Sequence, residues 1–345
     1  MNNATQQASP QPSASSDTGH QRHSIERLDR WRALDYGMFI HFGLATFTSH
    51  SGNRGVQSIS NYQPTELDVD QWVQVARDAG MRYVILTAKH TRDGGFSMWH
   101  TRHSDYSVAH SPVKTDVIGK FIEACEKHGV KPAIYLGGDL YNVPDGMIGS
   151  PHQPFFYVNR AFMDLTLAQL DELLTGYGPI EEVWFDGPHK YGLERRWELT
   201  HQIASHQPDT IVAMNGTWED DGRQPRMKPF AWPSDLIVIE AGVPPIWGGN
   251  NWRTMTWDPL GRPVEAPLPY YLPVENCTIA HEGSGGWWWG PNCRPRSVKE
   301  LLGIRLLCHT RNANCVFNVT PDTRGKIPDD QVKALLDTGA AWDRL

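Results

Sequence analysis

Eight short apolar runs, most of them separated by segments of helical period, constrain what this 345-residue chain can fold into more than any other feature. They are 36–43 (YGMFIHFG), 83–89 (YVILTAK), 131–138 (KPAIYLGG), 181–187 (EEVWFDG), 210–216 (TIVAMNG), 235–242 (DLIVIEAG), 273–280 (PVENCTIA) and 313–319 (ANCVFNV). Their near-continuous apolar character, rather than strict alternation, is that of strands buried on both faces of a parallel sheet. Segments 70–79, 116–128 and 160–177 read as helices that stop at Gly80, Gly129 and Gly178, where glycine suits the turn past a helix end. Segments 195–206, 298–310 and 329–338 continue the series, whereas 218–234 and 243–272 carry many Trp, Pro and Gly and no clear helix. Eight strand units alternating with helices predict an α/β fold, a (β/α)8 barrel forming a single domain over residues 24–345. The rival, an open doubly wound sheet, lacks support because no GxGxxG follows the first run.

Residues 1–23 are rich in Ser, Gln, Pro and Ala and are expected to be a disordered tail, since nothing in them can be buried to offset the cost of ordering. They contain no apolar core of a secretory signal, which points to a cytoplasmic protein. With 32 Lys and Arg against 39 Asp and Glu, the formal charge of −7 disfavours a nucleic-acid partner. No apolar run approaches the roughly 18 to 20 residues that span a bilayer, so no membrane partner is expected. The five cysteines show no metal-ligand spacing and no disulfide framework, although one bridge among Cys277, Cys293, Cys308 and Cys315 stays open. Fourteen Trp beside 31 Gly and 25 Pro suggest aromatic-rich loops on a regular scaffold, a surface suited to stacking on rings or sugars.

Active sites of this fold lie at the C-terminal ends of the strands. Taken at the ends of the eight runs, His41, Lys89 with His90, Tyr135, Asp186, Asn215, Glu240, Glu275 and Asn318 are all polar and would converge on one mouth. His41 has no second His two residues on, HExxH is absent, and Lys89 flanks His90, so neither a metal nor another cofactor is expected. No GxSxG turn follows a strand to offer a serine nucleophile. Carboxylates among aromatics point instead to glycoside hydrolysis, which needs two acids flanking one bond.

The blocks WRALDYGMFIHFGLATF, YQPTELDVDQWVQVARDAGMRYVILTAKH, DVIGKFIEACEKHGVKPAIYLGG and QLDELLTGYGPIEEVWFDG, followed by PVENCTIAHEGSGGWWWG and ANCVFNVTPDTRGKIPDDQVKALLDTGAAW, resemble successive blocks of family 29 glycoside hydrolases, the α-L-fucosidases. The resemblance covers roughly residues 31 to 342 in unbroken order. It implies a (β/α)8 catalytic domain hydrolysing α-L-fucosides, or a closely related sugar, from a fucosylated oligosaccharide or glycoconjugate with retention. The β-sandwich common in the family is not expected after the barrel. Asp186, in VWFDG, matches the family nucleophile. Glu275 matches the general acid/base of members whose motif reads Trp-Glu-x-Cys-Thr, although Val274 stands here in place of the Trp, and Glu240 is the rival acid. A retaining pair should hold its carboxyls about 5 to 5.5 Å apart, and a much larger separation from Asp186 would favour Glu240 over Glu275.

The same likeness implies sugar contacts from His41, His90, Tyr135 and Trp184, to which the strand-end residue Asn215, and Glu240 if it is not the acid, would add theirs. The family's Lys-His-His-Asp-Gly-Phe reads KHTRDGGFSMW here, with Thr91 where a second His is expected and Arg92 and Gly94–Gly95 lengthening the turn. A Glu-Trp pair expected after the first strand is not visible in SHSGNRGVQSISNYQP, and NGTW replaces an Arg expected after the fifth. Trp218, Trp247 or Trp287–Trp289 would then rebuild the subsite. Two other readings stay open, a carbohydrate-binding barrel without turnover and a retaining glycosidase for a different glycon.

Overall fold

The computed structural model describes residues 19–48, 56–137, 159–216, 218–220, 225–228, 231–240 and 250–345, with the backbone alone at 218–220, 225 and 226. Each apolar run holds one strand: β1 Tyr36–Ile40, β2 Tyr83–His90, β3 Lys131–Gly137, β4 Glu182–Asp186, β5 Ile211–Met214, β6 Ile237–Glu240, β7 Val274–Ile279 and β8 Ala313–Val319. They are hydrogen-bonded in the order β5-β4-β3-β2-β1-β8-β7-β6, every pair parallel. The result is a nearly closed (β/α)8 barrel.

The seam between β5 and β6 is stitched by side chains rather than by a ladder. Asp235 accepts the Val212 N–H at 2.7 Å and returns its own N–H to the Val212 carbonyl at 2.8 Å, while the Ser234 hydroxyl accepts from Met214 N–H at 3.1 Å. Arg22 clamps the Asp235 carboxylate through two nitrogens, and His23 is buried beside it. The ordered contacts therefore begin ahead of Ser24, because these two residues of the expected tail close the barrel. Residues 1–18 lie outside the described ones.

Besides the single turn Ala45–Thr48, one helix was not legible as a periodic segment. Helix α1 (Ile25–Arg32), capped by Ser24, places Leu28 and Trp31 among the side chains filling the barrel from its N-terminal end. The expected helices are α2 Val69–Asp78, α3 Val117–His128, α4 Arg160–Gly176, α5 Leu193–His206, α6 Val298–Thr310 and α7 Asp329–Trp342. Asp68 and Asp116 cap α2 and α3 by accepting backbone N–H groups, and Gly129 ends α3 at φ +67°. Their apolar faces, such as Trp72 with Ala76 and Phe121 with Cys125, pack against outward strand residues including Ile40, Leu86 and Ile134. Where no helical period was visible, hairpins stand: Trp218–Asp220 with Pro225–Met227 after β5, and Trp252–Trp257 with Pro263–Tyr271 after β6. All five cysteines are free, so no bridge forms among the last four. Among the described residues no helix is long and apolar enough to cross a membrane.

Candidate active site

Inward-facing positions recur every second residue, so β4 turns Glu182, Trp184 and Asp186 into the barrel at three successive heights. Asp186, the last, reaches the C-terminal mouth. There it borders a pocket of about 250 Å³ whose wall includes His41, His90, Tyr135, Trp184, Glu240 and Trp287. Three donors face its carboxylate: the Tyr135 hydroxyl at 3.0 Å, the Asn215 amide at 2.8 Å and the Gly187 N–H at 2.9 Å. Three charge-oriented donors fix where the carboxylate oxygens point without covering the site.

Glu240 closes β6 across the same pocket. Although the residue is exposed at the pocket rim, desolvation of its carboxyl and then the charge of Asp186 raise it to about 7, against the opposing hydrogen bond from Asn215. Two carboxyl groups thus border one cavity, and that of Glu240 is shifted toward its protonated form.

The histidines complete the polar wall with opposite hydrogen-bonding senses. Asn318 donates its amide to the Trp287 carbonyl at 2.8 Å and so turns its oxygen to His41 Nδ1 at 2.6 Å. His41 therefore carries its proton on Nδ1 and presents Nε2 as an acceptor, and burial, then His90, keeps the ring neutral by holding its pKa well below the usual range. His90 accepts the Arg92 N–H on Nδ1 at 2.9 Å, which leaves Nε2–H as a donor, and burial lowers its pKa to about 3. Its ring stacks on Tyr135 at 5.0 Å, and Tyr135 stacks on Trp184 at 5.2 Å. Trp287 and Trp288 lean on His41 from the opposite side, each 5.6 Å away. Their loop turns at Gly285, whose φ of +104° and whose approach to the Trp288 carbonyl leave no room for a Cβ.

Glu275 does not reach this pocket. It pairs with Val238 on β6, two residues before Glu240, which sets it about 6.6 Å deeper along the strand. There it is 0% exposed, and its carboxylate accepts from the Tyr83 hydroxyl at 2.9 Å and the Trp184 indole at 3.1 Å. It is third in its run, whereas a mouth residue stands at the end, and that offset was visible in PVENCTIA. Lys89 also misses the mouth, because its ammonium points outward to Gln169 at 2.8 Å. The Trp218 side chain and Trp247 lie outside the described residues, as do 49–55, the first part of the stretch 49–64 that lacks the Glu-Trp pair. Trp288, within the Trp287–Trp289 run expected to rebuild the subsite, lines the pocket, and so do Thr91 and Arg92, which were not expected as contacts although the lengthened TRDGG turn marked their loop. Among the described residues no group of three or more His, Cys, Asp or Glu could hold a metal ion.

Residues 2–343 match the family model described as alpha-L-fucosidase. The chain belongs to the alpha-L-fucosidase family. Alpha-L-fucosidase 1 of Arabidopsis thaliana is 29% identical over 330 residues, covering 89% of this chain and 57% of that protein. A family 29 glycoside hydrolase from an unknown rumen bacterium superimposes with a TM-score of 0.73 at 27% identity, covering 94% of this chain and 57% of that one. The fold is shared with the alpha-L-fucosidase AlfC of Lactobacillus casei, solved with α-L-fucose product, at a TM-score of 0.68, 19% identity and coverage of 93% and 99%. The chain spans a little over half the length of the plant fucosidases it matches.

Proposed function

We propose that this chain hydrolyses α-L-fucosides with net retention, using Asp186 as nucleophile and Glu240 as general acid/base. The observation that carries the reading is the pairing of two carboxyls in one pocket. Asp186 is oriented by three donors, and Glu240 is raised to about 7 by burial and by Asp186. Asp186 would attack the anomeric carbon as Glu240 protonates the departing oxygen. Water would then attack the ester, with Glu240 accepting its proton. The acid role passes from Glu275 to Glu240 because a proton donor must reach the leaving oxygen, and Glu275 lies below the Trp184 ring. His41 and His90 would take the sugar hydroxyls as acceptor and donor, and Trp184 and Trp287 would offer apolar faces.

The relatives named alpha-L-fucosidase support this glycon, as does the match over nearly the whole chain. Thr91 and Arg92 on the pocket wall, where the family pattern has a second His, favour as a second reading a glycon related to L-fucose. Hydrolysis of 4-nitrophenyl α-L-fucoside by the wild type and by Asp186→Ala is the direct test, with a panel of other aryl glycosides alongside. Activity lost in the variant supports the proposal. Equal background rates with retained sugar binding would favour a binding module, and activity on a different glycoside alone would move the assignment to that glycon.

A further inference from the structure

We infer that Glu275 is a positioning residue that holds the floor of the sugar pocket from inside the barrel. The inference rests on the reading of Asp186 as the nucleophile. A carboxyl in a dry core is costly, and the barrel interior around it is otherwise packed with groups such as Ile85, Ala133, Ile211 and Val238 that need no such partner. What Glu275 supplies is an acceptor. The Trp184 side chain is 1% exposed in total, and its indole N–H, turned inward, meets the Glu275 Oε1 at 3.1 Å. A buried indole N–H left without an acceptor would cost its full desolvation, so this bond selects one orientation of the ring.

From that ring the geometry runs upward through direct contacts. Trp184 stacks on Tyr135 with 26° between the planes and meets the Phe39 edge at 5.4 Å, so its tilt sets where the Tyr135 ring lies. Tyr135 in turn donates to Asp186 Oδ2 at 3.0 Å and carries His90 on its other face. Glu275 is itself pinned from below. Tyr83 donates to Oε2 at 2.9 Å, and Cys277 Sγ lies 3.4 Å from Oε1. Glu182 faces Glu275 from β4 and accepts the Trp31 indole at 2.9 Å, so α1 closes the base of the same polar stack. One element after another, from the N-terminal helix to the nucleophile, is thereby held in register.

The test compares Glu275→Gln and Glu275→Leu. Gln keeps an amide oxygen for Trp184, while the Tyr83 hydroxyl can turn and accept from its N–H. Leu removes both acceptors. Kinetics on aryl α-L-fucosides with good and poor leaving groups, with and without azide, separate positioning from acid catalysis. The expected result is a loss of kcat/KM on the order of 100-fold in Glu275→Leu, the same for both leaving groups and not rescued by azide, with Glu275→Gln within about 10-fold of wild type. Near-UV circular dichroism should change with the loss in the tryptophan bands.

A loss of kcat/KM confined to poor leaving groups, with azide raising kcat on the good ones, would make Glu275 the acid/base and overturn the inference, as would a folded Glu275→Leu with wild-type rates. Should Glu275→Leu fail to fold, a double-mutant cycle of the unbranched Glu275→Met, which also lacks the acceptor, with Trp184→Phe decides the matter. Non-additive effects are expected, and additive ones contradict the coupling. If the wild type turns over no fucoside, the functional reading fails separately. L-fucose affinity, followed by tryptophan fluorescence, then reads the same cycle, and additivity there overturns the inference.

Discussion

Raising the pH through 7 should switch off Glu240 as a proton donor. Burial and the Asp186 charge raise its carboxyl from 4.5 to about 7. At pH 7 an unperturbed carboxyl at 4.5 would be only about 0.3% protonated, whereas one at about 7 is half protonated, roughly 150 times more of the working acid. The sign follows directly: the acid form is complete well below 7 and falls about tenfold per pH unit above it. For a fucoside with a poor leaving group, kcat/KM should therefore show an alkaline limb near 7. Glu240→Gln should erase that limb and lower the rate by about 10²- to 10⁴-fold, the usual contribution of a general acid.

The Asn215 hydrogen bond favours the ionised form of Glu240. Asn215→Ala should move the limb to higher pH, even as the loss of its donor to Asp186 lowers the maximum rate. A limb near 4.5, or one that survives unchanged in Glu240→Gln, would refute the assignment of Glu240 as the acid.

Three further outcomes follow from the packing. Arg22→Ala leaves the buried Asp235 without its clamp at the barrel seam and should destabilise the fold by about 3 kcal/mol in denaturant titrations near pH 7. Burial alone would raise the Asp235 carboxyl, but the Arg22 and His23 charges hold it well below the usual carboxylate range, so this deficit should shrink only as the pH falls below about 4. Gly285→Ala forces a Cβ at φ +104° against the Trp288 carbonyl, and should raise KM for the aryl fucoside more than it changes the melting temperature. Because all five thiols are free, a reducing agent should leave the melting temperature unchanged.

The barrel was legible because every strand is buried on both faces and so reads as an apolar run, and because Gly80, Gly129 and Gly178 mark helix ends. Helix α1 escaped notice because it has only eight residues, IERLDRWR, and turns just Arg27, Leu28 and Trp31 inward. The two loops without helical period form hairpins whose strands do not read as strands, as in Pro263–Tyr271 with its prolines at 263, 267 and 269.

At the site, Asp186 and Glu240 close their strands and border the pocket, a location legible from their place at the ends of their runs. Glu275 is equally polar but stands third in its run, and polarity alone does not bring it to the mouth. Its strand continues to Ile279, so the alternation carries Glu275 inward but well below the mouth. Thr91 and Arg92 come from a turn, where spacing along the chain says little about which side chain faces the pocket.

The central claim is that Asp186 forms a covalent bond to the sugar. Incubation with 2-deoxy-2-fluoro-α-L-fucosyl fluoride, followed by proteolysis and mass spectrometry, tests it most directly, because the fluorine slows hydrolysis of the ester and lets it accumulate. A 2-fluorofucosyl mass increment on the peptide bearing VWFDG, located to Asp186 and absent from Asp186→Ala, is the predicted result. A label on Glu240 or Glu275, or steady turnover by Asp186→Ala, would contradict the account.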